Sequence, residues 1–225
     1  MTQADAEAAL GTIHACGIRN VVFGGGEPFA WPGNLLALAQ HAKARGFTVQ
    51  AGTNGINLPE DYAALDCIDR YVLPLDAAHA PLHNALRRYR NRHHQLITER
   101  LAVLKHAGKS VTISTVVTAR NAAHLPELGA WLRAYYADGG QLHAWHLYKF
   151  IPQGRGGRPN APQLHLDPKT YHHHCDHTRT HPFPFPVYKR PDMFRSRTVS
   201  FFWREQGRLW TSTPTHHSSL LTPNS

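Results

Sequence analysis

Residues 21–28 read Val-Val-Phe-Gly-Gly-Gly-Glu-Pro, an apolar run that breaks into three glycines and a single carboxylate. The β-branched and aromatic residues predict a strand, and the glycines that follow end it. Gly25 and Gly26 leave backbone N–H groups uncovered, and Glu27 follows at the carboxyl end of that strand. A carboxylate at this point can accept hydrogen bonds from an ammonium group, so the stretch predicts a site for a cationic ligand. Taken alone, the glycines are better explained by a plain turn between strand and helix.

Strands and helices alternate along the chain on both sides of this stretch. Apolar periodicity predicts helices over 4–16, 34–45, 59–65, 92–107 and 125–136, and strands over 18–23, 47–51, 68–75, 110–118 and 142–150. Such alternation is typical of a parallel sheet with right-handed crossovers. Because the glycine order of a dinucleotide-binding fold is missing, we predict an α/β domain that is a partial (β/α) TIM-like barrel.

Polar side chains follow the predicted strands at their carboxyl ends, where barrel proteins bind ligands. They are Glu27, Asn54, Asp76, Thr118, Asn121, Lys149 and Arg155. Each also has a structural interpretation, since Asn54 suits a turn, and Asp76 and Asn121 can cap helices. Their shared place at one edge of the sheet predicts a binding site there.

The Gly-Gly-Glu-Pro at 25–28 resembles the motif of radical S-adenosylmethionine enzymes, in which the glutamate contacts the amino group of the cofactor's methionine moiety. Further stretches resemble later strands of that superfamily in the same order, and the last of them is closest to bacterial members. They are 51–55, 73–76 with His83 and Arg87 behind it, 114–121 and 145–157. The resemblance implies S-adenosylmethionine as cofactor and 5′-deoxyadenosyl-radical chemistry on a small-molecule or peptide substrate.

The resemblance also implies a set of cofactor-binding residues. They are Gly25, Gly26, Glu27, Pro28, Asn54, Asp76, Ser114, Asn121 and Phe150. The first four would hold the methionine end of the cofactor. The strands that carry Asn54, Asp76 and Ser114 reach the ribose and carboxylate in relatives, and the loop at Phe150 flanks the adenine. No catalytic residue is predicted.

The chain departs from the superfamily in its cysteines. Relatives bind a [4Fe–4S] cluster through a Cys-x3-Cys-x2-Cys loop after the first strand, whereas this sequence holds only Cys16, Cys67 and Cys175. The cluster ligands expected of the family, and the first strand of the barrel, are therefore not in this chain, and no metal site is predicted. We interpret Cys16 and Cys67 as small buried apolar residues. Either the reading frame has been started too late or the chain is a truncated relative.

Beyond residue 157 the sequence changes character, so we divide the chain into a partial barrel over 1–157 and an irregular Pro/His-rich extension over 158–225. Prolines recur from 159 to 191 and break long helices. The runs 199–203 and 207–210 predict a hairpin, and the polar stretch 211–225 is predicted to be disordered. The histidines and cysteine of 172–181 would suit zinc, but consecutive side chains point apart, which favours an exposed polar tract.

Composition limits the class of protein. With 225 residues, no apolar run that spans a bilayer and no visible signal peptide, the sequence predicts a cytoplasmic protein without a membrane partner. The net charge of +9 and the basic stretch 87–94 leave nucleic-acid binding as an alternative. A solvated helix start is favoured, because no nucleic-acid motif accompanies the charge. A further alternative is a non-catalytic remnant that binds adenosyl ligands or a partner protein without iron.

Overall fold

The computed structural model describes residues 1–87, 89–192, 199–205, 208–213 and 216–220. The helices are α1 Gln3–Ala15, α2 Leu35–Ala44, α3 Ala80–Leu86, α4 His93–His106, α5 Leu125–Ala137, α6 Gly154–Leu164 and α7 Pro168–Arg179. The strands are β1 Asn20–Phe23, β2 Thr48–Gly52, β3 Arg70–Pro74, β4 Ser110–Val117, β5 Leu142–Lys149, β6 Val187–Arg190, β7 Phe201–Glu205, β8 Arg208–Thr213 and β9 His216–Leu220. Short 3-10 helices lie at Pro28–Ala30, Tyr62–Ala64 and Ala122–His124.

The first six strands form one parallel sheet in which the strand order follows the chain, β1-β2-β3-β4-β5-β6. The register runs from Asn20 opposite Thr48 on one side to Trp145 opposite Val187 on the other. A sheet that grows in one direction curls into a half-barrel instead of reversing at a switch point. The predicted α/β class, a partial TIM-like barrel, is confirmed. β1 is the terminal strand, and among the described strands only β2 pairs with it.

The helices cover one face of this sheet with apolar side chains. Val49, Tyr71 and Ile113 project from β2, β3 and β4 into this core and are fully buried. Leu101 of α4 and Leu128 of α5 pack in the same cluster. Full burial of a leucine side chain contributes about 1.5–3 kcal/mol, so this layer fixes the helices on the sheet. The side chains that alternate with these along β2 are half-buried and lie on the opposite, inner face.

Several elements form where the sequence predicts none: α3, α6, α7 and β6. The prolines beyond 157 do not exclude helices. Pro168 occupies the first position of α7, where the missing N–H has no helical partner in any case. Pro159 and Pro162 lie inside α6. In the opposite sense, the helix predicted over 59–65 shortens to the single turn Tyr62–Ala64.

The histidine-rich stretch belongs to α7 and is not uniformly exposed. Tyr171, Cys175 and Thr178 recur at helical spacing and are buried, whereas His173 and His177 are exposed. The predicted exposed tract is therefore wrong for Cys175, because helical periodicity turns one side of the segment to the core. Burial raises the pKa of the Cys175 thiol to about 12, which makes it an inert core residue.

The remaining cysteines differ from each other. Cys67 is buried, as predicted. Cys16 is exposed, and its predicted burial is wrong. The reason is local: Cys16 caps the carboxyl end of α1, one residue past the last turn, and the buried residues of that helix end at Ile13.

The chain beyond 199 forms a second, antiparallel sheet in the order β7-β8-β9. Trp203 lies opposite Trp210 in the β7–β8 pair, and Gly207 of the predicted hairpin lies outside the described residues. The disorder predicted over 211–225 is wrong for residues 211–213 and 216–220, which lie in β8 and β9. Strand pairing gives these segments backbone partners, a tertiary effect that polar composition does not reveal. The other residues of that stretch lie outside the described part.

Candidate functional site

The parallel order of the strands brings the predicted polar residues to one edge of the sheet. Glu27 follows β1, Asn54 follows β2, Asp76 follows β3 and Asn121 follows β4. Hydrogen bonds connect neighbours along this edge: the Asn54 N–H donates to Glu27, and the Asn121 amide donates to the Asp76 carbonyl. We call this row of strand ends the carboxyl edge.

The glycine loop after β1 is the open part of the carboxyl edge. Gly24, Gly25 and Gly26 are exposed, and a Cβ atom added to any of them would meet no atom within 4 Å. Packing therefore does not require these glycines. The backbone of Gly25 has φ +117°, a region that side-chain-bearing residues rarely adopt. Pro28 is buried and begins the 3-10 helix that follows the loop.

Glu27 connects this loop to β2. One carboxylate oxygen, Oε1, accepts hydrogen bonds from the Thr53 hydroxyl at 2.7 Å and the Phe29 N–H at 3.3 Å. The other, Oε2, accepts from the Asn54 N–H at 2.7 Å. An ionised carboxylate offers about four acceptor positions, so capacity remains for a further charged donor. The sequence predicted a ligand-binding role for Glu27 but did not reveal its hydrogen bonds to neighbouring residues of the chain.

Asp76 joins β3 to β4 and to the segment after α3. Its side chain is 2% exposed, and its Oδ2 accepts from Arg87 Nε at 2.6 Å while Oδ1 accepts from the Val116 N–H at 2.8 Å. Burial works against the charge of Arg87, but the Asp76 carboxylate more than offsets it and raises the pKa of the guanidinium. The Arg87 side chain is 32% exposed and lies beside the carboxyl edge, next to Asp76.

Asn121 closes the loop after β4. Its Oδ1 accepts from the N–H and the hydroxyl of Thr118, at 2.7 and 2.8 Å. Its Nδ2 donates to the Asp76 carbonyl at 2.8 Å and to the Val116 carbonyl at 3.0 Å. The side chain is fully buried, and its amide uses all of its donors within the chain. Asn121 thus holds the carboxyl edge in shape.

The other predicted residues lie apart from this row. Ser114 sits on the inner face of β4, half-buried, and its hydroxyl donates to the Leu73 carbonyl at 3.4 Å. Phe150 follows β5, is 9% exposed, and donates its N–H to the Val117 carbonyl at 3.0 Å. Lys149 is the half-buried last residue of β5. The side chain of Arg155 lies outside the described part of the chain.

Two buried histidines, for which the sequence predicted no role, link β2 to β3 at the carboxyl edge. His83 Nδ1 accepts from the Asp76 N–H at 3.0 Å, and His83 Nε2 lies 2.8 Å from His93 Nδ1. His93 Nε2 lies 2.9 Å from the Asn54 carbonyl oxygen. Burial lowers the pKa of His83 to about 3 and also lowers that of His93, which keeps both rings neutral. Only tertiary contact reveals this pair, since the residues belong to different helices.

The cysteines do not fit an iron–sulfur cluster. Cys16 is exposed, whereas Cys67 and Cys175 are buried within the core, and all three are free thiols. Within the described residues, no three histidine, cysteine, aspartate or glutamate side chains are grouped so as to hold a metal ion. A cluster needs several ligands around one centre, and these three thiols do not supply them.

Comparison with known proteins identifies the family. The sequence model of the radical SAM superfamily matches residues 1–132. The chain belongs to the radical SAM superfamily. A comparison with curated protein sequences finds no significant match. Within the part of the chain described, no helix has the length and apolar character needed to cross a membrane.

Solved structures share the fold of this radical SAM chain. The crystal structure of Streptococcus suis SuiB bound to S-adenosylmethionine matches with TM-score 0.66 and 13% identity, covering 85% of this chain and 44% of that one. SuiB bound to its precursor peptide SuiA matches with TM-score 0.63 and 14% identity, over 84% and 42%. A domain of pyruvate-formate lyase-activating enzyme from Bacteroides vulgatus ATCC 8482 matches with TM-score 0.54 and 12% identity, over 76% and 98%. The chain thus spans less than half the length of SuiB.

Proposed function

We propose that this chain is the S-adenosylmethionine-binding half-barrel of a radical SAM enzyme. The observation that carries the proposal is the position of Glu27, whose carboxylate is fixed by three hydrogen bonds beside an exposed glycine backbone. A carboxylate fixed in this way accepts an ammonium donor without reorganising. The α-amino group of the cofactor's methionine moiety is such a donor.

The chain's own residues would bind and orient the cofactor. Gly25 and Gly26 leave room for the methionine end to approach the backbone. Asn54 and Asp76 would line the site at the ends of β2 and β3. Ser114 would line it from the inner face of β4, and Phe150 from the end of β5. Arg87, held beside the edge by Asp76, offers a cation for a carboxylate of the cofactor or substrate.

The cofactor, when bound, supplies the radical chemistry that membership of this superfamily implies. The protein would exclude water and hold the cofactor against its substrate. We propose a peptide as the substrate class. The support is the fold shared with SuiB, a structure of which is bound to a precursor peptide. We also propose that the protein is cytoplasmic.

A second candidate function is binding of an adenosyl ligand without iron. The scattered free cysteines favour it, because they do not supply the ligands of a cluster. The two functions share the cofactor site and differ in chemistry. Anaerobic reconstitution with iron and sulfide separates them. Stable cluster incorporation with cleavage of S-adenosylmethionine supports the enzyme, and binding without cleavage supports the second function.

The test of cofactor binding is calorimetry with S-adenosylmethionine on the full chain. Glu27→Gln removes the charge and one acceptor oxygen, and we expect it to weaken binding by about 1–3 kcal/mol, a loss of about 5- to 150-fold in affinity. Glu60→Gln, on an exposed side chain, is the matched control and should bind as the wild type does. Equal affinity in the wild type and Glu27→Gln would contradict the assignment of the site.

A further inference from the structure

The pair formed by His83 and His93 is sealed from solvent at the centre of the carboxyl edge. The side chains are 0% and 2% exposed, and the ring planes lie 6° from parallel with centroids 5.1 Å apart. Burial of two polar rings is costly unless every ring nitrogen has a partner. Here each nitrogen has one, which makes the pair a continuous bridge between two backbone groups.

The backbone groups at the two ends fix where the protons lie. The Asp76 N–H can only donate, so His83 Nδ1 must be bare and the ring proton must sit on Nε2. That proton is donated to His93 Nδ1, which leaves the second ring with its proton on Nε2. The Asn54 carbonyl can only accept, and it receives this last proton. A second proton on either ring would set two N–H groups against each other.

The charged and titratable groups around the pair also favour neutral rings. The Asp76 carboxylate would favour a protonated, positively charged His83. However, that carboxylate is already bonded to Arg87, and the positive charge of Arg87 disfavours protonation of His83. The His94 ring makes a T-shaped contact with the His83 ring. Its Nε2 is hydrogen-bonded to the Ala78 carbonyl oxygen at 2.9 Å. Tyr89 approaches His93 edge-on at 6.3 Å. The bridge is thus complete with two neutral rings and fails when either is protonated.

The bridge ends on the residue that holds Glu27. Asn54 donates its N–H to Glu27 Oε2 and accepts the His93 bond at its carbonyl, so both of its backbone groups are fixed. Without His93, the Asn54 carbonyl loses this fixed partner and the loop after β2 gains freedom. This freedom also affects the position of the Glu27 carboxylate, which the Asn54 N–H holds and which we assign to cofactor binding.

We infer that His83 and His93 are positioning residues, whose neutral, hydrogen-bonded rings hold Asn54, and through it the Glu27 carboxylate, in the geometry that receives the cofactor. The inference rests on the proposed function for its ligand and on the present geometry for its mechanism. It predicts that the order of Asn54 depends on the bridge even when no ligand is present. That dependence is measurable apart from cofactor binding.

The first measurement uses nitrogen-15 chemical shifts of the imidazole rings in the full wild-type chain. We expect His83 and His93 to show the neutral Nε2–H tautomer at pH 7 and to keep it at pH 5. A protonated ring, or the Nδ1–H tautomer, at either position would overturn the inference.

The second measurement is hydrogen exchange of the Asn54 amide in two variants. His93→Gln keeps one acceptor and one donor for the bridge, and His93→Phe keeps the ring but removes both. We expect exchange of the Asn54 amide to rise about tenfold or more in His93→Phe and to stay within about threefold of wild type in His93→Gln. Each rate is divided by that of the Ile113 amide in the centre of β4, which corrects for a global loss of stability.

Calorimetry with S-adenosylmethionine on the same proteins separates the two proposals. We expect affinity to fall about tenfold in His93→Phe and to persist in His93→Gln. If the wild type does not bind the cofactor, the proposed function is wrong, while the exchange result still decides whether the bridge positions Asn54. If Asn54 exchanges equally in all three proteins, the bridge positions nothing and the inference is wrong.

Discussion

The ends of β2 to β4 and the loop after β1 occupy the same edge of the sheet but are built in opposite ways. Asp76, Asn121 and the histidine bridge are buried, with their polar atoms bonded within the chain. The three glycines after β1 are exposed and contribute no side chain. Glu27 belongs to both parts, because its oxygens bond to the residues directly after β2 while its backbone belongs to the open loop. A closed framework beside an open loop is a preorganised site, rigid where it holds the ligand-binding group and accessible where the ligand enters.

The largest effect should come from breaking the closed framework at Asp76. Asp76→Ala leaves the Val116 N–H buried without an acceptor and removes the carboxylate from Arg87. We expect it to lower the free energy of unfolding by about 3–5 kcal/mol, as is usual when one partner of a buried ion pair is deleted. Urea denaturation followed by circular dichroism measures this.

The control for Asp76→Ala is a surface ion pair. Asp138 pairs with Lys105, but its side chain is 73% exposed, so Asp138→Ala should leave the urea midpoint unchanged. If both variants lose a similar free energy of unfolding, the bonds of Asp76 stabilise the fold no more than an exposed ion pair does. The contrast between the closed and open parts would then not hold.

Acid should destabilise the fold through the closed framework. Burial lowers the pKa of His83 to about 3 in the folded chain, while the unfolded value is about 6.5. Below pH 6.5 the unfolded chain therefore binds a proton that the folded chain excludes. The contribution of the neutral His83 to stability is fully present above pH 6.5. As the pH is lowered from 6.5 towards 3, this histidine lowers the free energy of unfolding by about 1.4 kcal/mol per pH unit.

Unfolding measured from pH 7 to pH 4 tests this slope. His83→Gln keeps an acceptor for the Asp76 N–H and a donor for His93 but does not titrate, so its profile should be flatter by about one proton. His173→Gln, at an exposed site, is the matched control for loss of an imidazole and should leave the free energy of unfolding at pH 7 nearly unchanged. A His83→Gln profile as steep as that of the wild type would show that the ring is not held neutral.

The smallest effect concerns the open loop. Gly25→Ala places a side chain at φ +117° and should lower the free energy of unfolding by about 1–2 kcal/mol through backbone strain alone. Gly26→Ala is the matched control, since that position is also exposed and open but has no positive φ. Thermal unfolding of both compares them. Equal melting temperatures would mean that the loop relaxes freely and is not preorganised.

The sequence by itself determined the barrel class, the order of the first five strands and the polar residues of the carboxyl edge. The reason is that a parallel strand buried on a helix-covered face must be apolar, while its carboxyl end is free to carry polar residues. Glu27, Asn54, Asp76 and Asn121 were identified in this way, before any contact was known. Helical periodicity and the superfamily resemblance add to this local signal.

Only the tertiary structure decided which of those polar residues are engaged within the chain and which remain open. Asn121 looks like a cap in the sequence, yet its amide donates to carbonyls of both β4 and the Asp76 segment. Cys175 stands in a polar run but is buried, because α7 turns one side to the core. His83 and His93 show no periodic or motif signal as a pair. They meet because α3 and α4 pack together, and hydrogen bonds between separate elements depend on distances in space that no spacing along the chain encodes.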